Sequence, residues 1–377
     1  MRICLVVDYY LPGVGGGEIY VSGLAEQLVR DGHSCLVITS RFRKDLPVKE
    51  VINGVLVHRV NLPSPSRLWF TFCSLPVIVR QARKSDIIQG ASYGGAIVSF
   101  LAAVLTGKPC CFIVYEFMAG LWRNLEPNPV KAFFYQLVEK VIVTLPFACY
   151  FALSRYTRNC LRLLGVPDKK LEVAYGGVDS TLNRVLAERK GSSGERFGFS
   201  ENSFIYLTYG RAGITKGIEI MAEATSLILK EVPQARFVFI TTAANTYIWK
   251  KIVAFLKRLP SDTYRLFPSW PREKILQHIP LADCVVVPSL SEGFGFAALE
   301  ACLLGKAVVA TDAGSLPEVI SGKHILVKPN SVCSLASGCI LAARGQLEVS
   351  PAKNFSWKET ACTVEKVYQK IMERRKQ

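Results

Sequence analysis

Several signatures that would place a chain in a familiar class are missing from this sequence of 377 residues. Its 12 cysteines form no C-x-x-C pair and no Cys/His cluster, which disfavours a structural zinc site. No D-x-D triplet is present, so the usual carboxylate clamp for a diphosphate-bound metal is missing. A G-x-G-x-x-G fingerprint and an acidic residue at the end of the second predicted strand are also absent, which argues against a dinucleotide-dependent dehydrogenase.

The chain also lacks the marks of export and of membrane insertion. Its start, MRICLVVDYY, is a short apolar run broken by Asp8 and is typical of a first β-strand. Irregularly spaced cysteines without an export signal indicate reduced thiols and a cytoplasmic location. The longest uncharged stretch, residues 87–107, contains Gln89 and several glycines. A strand, a glycine turn and an apolar helix therefore fit it better than a membrane span.

Acidic residues are few relative to basic ones. The net charge is +16 and the sequence pI is about 9.3, which favours a polyanionic neighbour. Nucleic acid is disfavoured, because no basic helix, RNA-binding signature or finger spacing accompanies the charge. Segment Arg67–Lys84 interleaves Trp69 and other aromatics with Arg and Lys, a pattern typical of an anionic membrane contact. Residues 121–135 show the same mixture, although core helices with basic edges produce it too.

Strand-like and helix-like stretches alternate through most of the chain, which predicts parallel sheets and two doubly wound α/β domains. The composition changes abruptly to AERKGSSGERFGFSEN after Val185, a pattern typical of a linker. We therefore predict an N-terminal domain at 1–185, a linker at 186–202, a C-terminal domain at 203–350 and a helix at 351–377 that packs back on the body. A cleft between the domains is the expected ligand site.

The most informative segment is EGFGFAALE, residues 292–300, which places Glu292 and Glu300 eight positions apart. A buried-strand run precedes it and helix-forming residues end it, so it lies at a strand-to-helix switch. A helix start offers unpaired N–H groups, and Gly293 and Gly295 allow a ligand to approach the backbone. Two carboxylates beside such donors suit a phosphorylated, polyhydroxylated ligand such as a nucleotide sugar.

The order of motifs resembles that of the retaining, nucleotide-sugar-dependent glycosyltransferases of family 4. The most specific motifs are EGFGFAALE, GRAGITKG at 210–217 and TDAGSLPEVI at 311–320. Weaker matches are LPGVGGGE at 11–18, AYGGVD at 174–179 and FSWKETACTVEKVYQKI at 355–371. The resemblance covers essentially the whole chain. It implies the GT-B fold, an α/β architecture of two Rossmann-like doubly wound domains facing across a cleft.

The resemblance also implies the roles of the donor-site residues. Arg211 and Lys216 would stabilise the charge that develops on the leaving diphosphate, in place of a metal. Glu292 would contact hydroxyls of the transferred sugar and, with those two cations, form the catalytic set. Glu300 would accept hydrogen bonds from the ribose, and the nucleobase would lie near residues 266–270. The complete predicted donor-binding set is Gly16, Gly210, Arg211, Lys216, Phe267, Ser269, Glu292, Gly293, Phe294, Gly295, Phe296 and Glu300.

On the acceptor side the chain departs from the family pattern. Gln89 and Tyr115 stand where family members commonly carry His, and none of the four histidines occupies those positions. Glu116 follows Tyr115 and could orient an acceptor hydroxyl. The predicted acceptor-side residues are Gly15, Gly16, Glu18, Tyr115 and Glu116.

The function implied is transfer of a sugar from a nucleoside diphosphate sugar to a sugar or lipid-linked acceptor, in cell-envelope polysaccharide or glycolipid assembly. Retention of the anomeric configuration, no metal and no cofactor besides the donor are expected. We expect the protein to be cytoplasmic and peripheral on the inner membrane face. No nucleic-acid partner is expected. The alternatives are a sugar-nucleotide epimerase of the same fold and a donor-binding protein with little catalytic activity.

Overall fold

The computed structural model describes residues 1–13, 15–64, 66–178, 180–187, 196–242 and 246–375. The chain forms two compact units, one of Met1–Gly177 with Phe355–Gln377 and the other of Val178–Asn354. Each unit is built on one sheet with its own buried core. No helix among these residues is both long and apolar enough to cross a bilayer.

The first unit contains an eight-stranded sheet of order β3-β4-β2-β1-β5-β6-β7-β8. Its strands are β1 (Arg2–Val6), β2 (Ser34–Ser40), β3 (Lys49–Ile52), β4 (Val55–Val60), β5 (Ile87–Ala91), β6 (Cys110–Val114), β7 (Cys149–Ala152) and β8 (Leu171–Val173). Its helices are α1 (Gly16–Arg30), α2 (Arg67–Ala82), α3 (Ser92–Thr106), α4 (Trp122–Leu125), α5 (Pro129–Thr144), α6 (Arg155–Leu163) and, at the end of the chain, α14 (Trp357–Arg374).

The second unit contains a seven-stranded sheet of order β11-β10-β9-β12-β13-β14-β15. The strands are β9 (Phe204–Arg211), β10 (Ala235–Thr242), β11 (Tyr264–Phe267), β12 (Cys284–Val287), β13 (Ala307–Thr311), β14 (Gly322–Val327) and β15 (Glu348–Ser350). The helices are α7 (Ser180–Ala187), α8 (Ile218–Glu231), α9 (Thr246–Leu256), α10 (Arg272–His278), α11 (Phe296–Leu303), α12 (Leu316–Val319) and α13 (Val332–Ala343).

Strand order positions the candidate site. In the second sheet β9 pairs in parallel with β10 on one side and with β12 on the other. The strands that follow β9 in the chain are therefore added first on one side of β9 and then, from β12 onward, on the other side. Open α/β sheets leave a crevice outside the carboxyl ends of strands at such a switch point. The loops after β9 and β12 therefore flank the place where a ligand is expected, and they contain Lys216 and Glu292.

Two features of the sheets differ from the expectation of parallel strands alone. β3 pairs antiparallel with β4, and β15 pairs antiparallel with β14, each at an edge of its sheet. Both strands are only three or four residues long. Such short segments show no clear alternation of apolar and polar residues, so the sequence pattern did not reveal them. The uncharged stretch at 87–107 forms β5 and α3, as predicted.

The division into units lies at Gly177–Val178, earlier than the predicted limit of the first domain at 185. The reason is that α7 contributes buried Leu182 and Val185 to an apolar core of the second unit. Residues 188–195 of the predicted linker lie outside the described residues. The terminal helix α14 belongs to the first unit, where Tyr368 donates a hydrogen bond to Gln89 at 2.7 Å.

Candidate functional site

Glu292 forms an ion pair with Lys216, with 2.7 Å between Nζ and Oε1. The hydroxyl of Ser289 donates a second hydrogen bond to the same carboxylate oxygen at 2.9 Å. Glu292 is buried and Lys216 is half-buried, so the pair is partly shielded from water. Two charged groups predicted independently from EGFGFAALE and GRAGITKG are thus in direct contact.

Backbone contacts hold the loop after β9 against the loop after β12. The amide of Leu290 donates to the carbonyl of Thr215 at 2.7 Å. Gly217 has φ 60°, and a Cβ at this position would lie 2.1 Å from the carbonyl oxygen of Pro288. Only glycine tolerates both that conformation and that approach. Lys216 is therefore fixed beside the loop of Glu292 by the residue that follows it.

A third segment, TDAGSLPEVI, braces the backbone of Glu292. The amide and the hydroxyl of Ser315 donate to the carbonyl of Glu292 at 3.0 and 3.1 Å. Gly314 has φ 60°, and a Cβ there would lie 2.4 Å from the same carbonyl oxygen. The motif thus surrounds the main chain of Glu292, which explains why it accompanies EGFGFAALE in the sequence.

Glu300 lies in α11 and is held at both carboxylate oxygens. Arg272 donates to Oε1 through Nε at 3.0 Å and through Nη2 at 2.7 Å. The hydroxyl of Tyr209, near the end of β9, donates to Oε2 at 2.8 Å. Burial, together with the charge of Glu300, raises the pKa of Tyr209 well above its ordinary value, so it stays a donor. Glu300 is thereby fixed in position by hydrogen bonds to both of its oxygens.

The turn between the two carboxylates ends at the start of α11. Gly295 is the residue before the helix and has φ 92°, a left-handed conformation that favours glycine. The rings of Phe294 and Phe296 pack edge to face with centroids 4.9 Å apart, and both residues are buried. Gly293 is also buried, so α11 begins in a buried, glycine-bearing turn that directly follows Glu292.

The other predicted cation of the donor site, Arg211, ends strand β9 and is exposed. It pairs in register with Thr242 of β10. Gly210, just before it, has φ 136°, and a Cβ there would meet no atom within 4 Å. Arg211 therefore lies at the carboxyl edge of the sheet, at the start of the loop that contains Lys216.

The segment predicted to lie near the nucleobase follows β11 and contains a cluster of aromatic rings. Phe267 and Trp270 have ring centroids 4.8 Å apart, and the ammonium of Lys274 lies 4.0 Å from the centroid of Trp270. Ser269, between them, is exposed. Arg272 begins the next helix and binds Glu300, so it ties this segment to the predicted ribose-binding carboxylate.

The acceptor-side residues lie in the first unit, around the start of α1. Gly15 precedes the helix, Gly16 begins it and Glu18 is buried in its first turn. A Cβ at Gly17 would lie 2.7 Å from the ring of Tyr115, so Tyr115 packs directly on this glycine-rich turn. Burial, with the nearby charges of Glu18 and Asp8, raises the pKa of Tyr115 well above its ordinary value. Tyr115 is therefore a neutral hydroxyl.

Gln89, at a position where a His was expected from the family pattern, has a structural role in this protein. Its side chain is fully buried, accepts the hydrogen bond from Tyr368 at 2.7 Å and donates to the carbonyl of Gly90 at 3.1 Å. It therefore anchors α14 to β5. Glu116 is half-buried beside Tyr115, and the carbonyl of Glu116 accepts a 3.2 Å hydrogen bond from Tyr93.

Sequence reasoning identified Lys216 but not the other residues that hold the two carboxylates. Tyr209, Arg272 and Ser289 each contact Glu292 or Glu300, yet none of them stands out by spacing. The position of Arg272, directly after the aromatic segment at 267–270, is the one signal that could have suggested it. Among the residues that the structure describes, no group of three or more His, Cys, Asp or Glu side chains is placed to hold a metal ion.

Comparison with solved structures identifies the class of fold. Sucrose-phosphate synthase from Thermosynechococcus elongatus superposes with a TM-score of 0.77 at 19% identity, over 99% of each chain. The Anabaena protein HepE, solved in complex with UDP and glucose, matches with a TM-score of 0.70 at 20% identity, over 100% of this chain and 99% of that one. The fold is GT-B, two parallel-dominated α/β sheets with interleaved helices.

Sequence comparison then identifies the family. Residues 14–182 match the model described as Glycosyltransferase Family 4, and residues 192–355 match Glycosyl transferases group 1. An uncharacterized glycosyltransferase from Methanocaldococcus jannaschii is 28% identical over 99% of both chains. The chain belongs to the family 4 glycosyltransferases, and the resemblance inferred from its motifs is confirmed.

Proposed function

We propose that the protein transfers a sugar from a nucleoside diphosphate sugar to an acceptor hydroxyl, with retention of the anomeric configuration and without a metal. The second unit would bind the donor. Arg211 and Lys216 would stabilise the leaving diphosphate, and Glu292 would hold the transferred sugar. The HepE structure was solved with UDP and glucose, which supports a nucleotide sugar as the donor class.

The contact between Lys216 and Glu292 is the observation that supports this proposal most. An ammonium has three N–H donors, so Lys216 can bind Glu292 at 2.7 Å and donate to a phosphate oxygen as well. A sugar bound by Glu292 would then have its anomeric phosphate close to the ammonium. Because fixed cations lower the energy of charge that develops during bond cleavage, Lys216 would act in the transition state rather than in donor binding alone.

The arrangement around Glu300 supports a place for the nucleoside. Arg272 and Tyr209 fix both carboxylate oxygens, and a carboxylate oxygen can accept a further hydrogen bond from a ribose hydroxyl. Arg272 also follows the aromatic segment at 267–270, where the base would lie. The donor would thus extend from Glu292 at the sugar, past Lys216 and Arg211 at the diphosphate, to Glu300 at the ribose.

In the proposed step, the bond between the anomeric carbon and the diphosphate oxygen breaks while a bond to the acceptor oxygen forms on the same face. The acceptor proton passes to the departing phosphate oxygen, so no enzyme nucleophile is needed. Glu18, Tyr115 and Glu116 of the first unit, with Gly15 and Gly16, would orient the acceptor hydroxyl. Tyr115 can donate a hydrogen bond but cannot act as a base, because its pKa is well above the ordinary value.

We propose a sugar or lipid-linked acceptor, with the enzyme acting in cell-envelope polysaccharide or glycolipid assembly at the cytoplasmic face of the membrane. The high positive charge of the chain, +16, supports an anionic surface nearby. No cofactor besides the donor is proposed.

The test begins with a thermal-shift panel of UDP, GDP and ADP sugars on the full chain. Ligand binding to the folded state raises apparent stability by mass action, so the correct base gives the largest shift. The best donor is then incubated with membrane extracts and EDTA, and the anomeric configuration of the product is determined by proton NMR. Retention without added metal supports the proposal, and inversion or full inhibition by EDTA contradicts it.

Two controls separate this activity from its alternatives. Donor incubated alone should stay unchanged apart from slow hydrolysis, whereas a sugar-nucleotide epimerase would convert it without any acceptor. Tight nucleotide binding with no turnover on any membrane acceptor would instead indicate a donor-binding protein with little catalytic activity.

A further inference from the structure

Three neighbouring helices of the first unit have apolar sides that point outward. α3 packs against both α2 and α5. Buried residues of all three helices belong to one apolar core against the first sheet, among them Phe70 of α2, Ala96 of α3 and Ile142 of α5. The helices therefore each have a buried side, and an ordinary surface helix would be polar on the other.

Helix α5 instead has a second apolar stripe. Its exposed residues Val130, Phe133, Phe134, Leu137 and Val141 are between 42% and 74% exposed. They follow one another at spacings of three, one, three and four positions, which places them on one side of a helix. Five large apolar side chains in one stripe far exceed the single exposed hydrophobics that a surface normally shows.

Helices α3 and α2 extend this surface. In α3, Ile97, Leu101, Val104 and Leu105 are 37% to 63% exposed and again share one helix side. In α2, Trp69 and Phe72 are 45% and 72% exposed. We call these eleven outward-facing residues of α2, α3 and α5 the three-helix face.

The exposed charged side chains within the three helices are basic. α2 and α3 contain no Asp or Glu, and the single carboxylate of α5, Glu139, is fully buried. Glu139 accepts hydrogen bonds from Trp122 and from the amide of Met118, so it does not face solvent. The exposed charged residues described in these helices or just after α2 are basic: Arg80, Arg83, Lys84, Lys131 and Lys140. The nearby acidic residues are half-buried: Glu126 precedes α5, and Asp86, beyond Lys84, pairs with Arg2.

We propose that the three-helix face docks on an anionic lipid bilayer. Aromatic and aliphatic side chains would enter the boundary between head groups and acyl chains, while the basic side chains would contact lipid phosphates. A second copy of the chain fits less well, because two such faces would bring basic residues against basic residues. The surface reaches well beyond segment Arg67–Lys84, since α3 and α5 supply most of its apolar residues.

The inference does not depend on sugar transfer, because membrane binding can be measured without donor or acceptor. The full chain is sedimented with vesicles of phosphatidylcholine alone or of phosphatidylcholine mixed with phosphatidylglycerol. We expect binding to the anionic vesicles that is at least about tenfold stronger than to neutral ones and that weakens with added salt.

Variants then locate the contact. Replacing Phe133 and Phe134 together by Ser should weaken binding to anionic vesicles by about tenfold or more. The double variant Val104→Ser and Leu105→Ser, in α3, should also weaken binding to anionic vesicles. Because it alters a different helix, agreement between the two variants excludes a local folding defect in α5 as the cause. The matched controls are Leu163→Ser and Val349→Ser, exposed apolar residues outside the three-helix face, which should leave binding unchanged.

Failure of the wild-type chain to bind anionic vesicles would overturn the proposal, as would equal losses in the control variants. Light scattering of the free protein serves as a further check. A stable dimer that dissociates when Phe133 and Phe134 are replaced would identify a second copy as the occupant instead. Loss of vesicle binding with normal sugar transfer to a soluble acceptor would support docking by the three-helix face and leave the proposed activity intact.

Discussion

Replacing Lys216 by Gln removes the positive charge that contacts Glu292 and keeps a polar side chain that is one atom shorter. The ion pair, at 2.7 Å, is lost, and Glu292 keeps the hydrogen bond from Ser289. Because Glu292 is buried, removing the ammonium leaves its carboxylate without a charge partner, and we expect the free energy of unfolding to fall by about 1–3 kcal/mol. The variant should still fold, and urea unfolding measures this loss separately from activity.

The expected effect on catalysis is much larger. If Lys216 stabilises charge on the leaving diphosphate, its removal should lower kcat by about 10²–10³, equivalent to roughly 3–4 kcal/mol. The KM for donor should rise by less than about tenfold, since the interaction strengthens in the transition state. Lys216→Arg should keep part of the activity that Lys216→Gln loses. Its guanidinium carries the positive charge of the ammonium but is planar and larger.

The assay is steady-state transfer with the donor identified by thermal shift, accompanied by urea unfolding of each variant. Arg184→Gln is the matched control, because it also breaks an ion pair of the second unit, with Glu273, at an exposed position. The double variant of Lys216→Gln and Glu292→Gln should lose less than the sum of the single losses if the two residues act as a unit. Activity of Lys216→Gln within about threefold of wild type would show that Lys216 does not stabilise the transition state.

Three other contacts lead to predictions of their own. Arg272→Lys should weaken nucleotide binding about tenfold, because the two-atom contact with Glu300 is lost, and an unchanged Kd by calorimetry would contradict this. Gly314→Ala should destabilise the protein by about 1–3 kcal/mol in urea unfolding, since its Cβ would meet the carbonyl of Glu292; an unchanged midpoint would argue against it. Burial raises the pKa of Glu139 above its ordinary value of 4.5. The contribution of protonated Glu139 to stability is therefore complete below pH 4.5 and is lost as the pH rises through the raised pKa. The stability of wild type relative to Glu139→Gln should fall accordingly, and a pH-independent difference would contradict the assignment.

Much of the fold could be predicted because the core strands are continuous apolar runs. Cys284–Val287 and Ala307–Thr311 are entirely buried, and such runs between helix-forming stretches indicate a parallel sheet. The boundary between the two units was harder to predict from the sequence. The composition becomes polar only after Val185, whereas residues before Val185 already pack in the core of the second unit. Leu182 and Val185 belong to the second unit through packing, which composition alone does not reveal.

The site was predictable to the extent that its residues fall within motifs. Lys216, Glu292 and Glu300 stand out because glycines and strand-to-helix switches surround them. The residues that hold Glu300 come from β9 and α10, 91 and 28 positions away along the chain. Such long-range partners depend on the strand order, and no local pattern specifies them.

The outward apolar stripes illustrate another limit. The aromatic and basic residues of α2 and α5 were visible in the sequence, but an apolar residue on a helix is compatible with either the core or the surface. The pattern became informative only when the structure assigned Phe70 to the core and Phe72 to solvent. Burial, rather than composition, distinguishes a core helix from a helix with two apolar sides.

The proposed function requires that the second unit bind a nucleotide sugar between Lys216 and Glu300. The decisive experiment is titration calorimetry of the full chain with the preferred nucleotide sugar, on wild type and on Glu300→Gln. We predict one donor per chain and about tenfold or greater weakening in Glu300→Gln, because a fixed carboxylate acceptor for the ribose is lost. Binding of no nucleotide sugar by the wild type, or equal affinity in the variant, would contradict the proposed donor site.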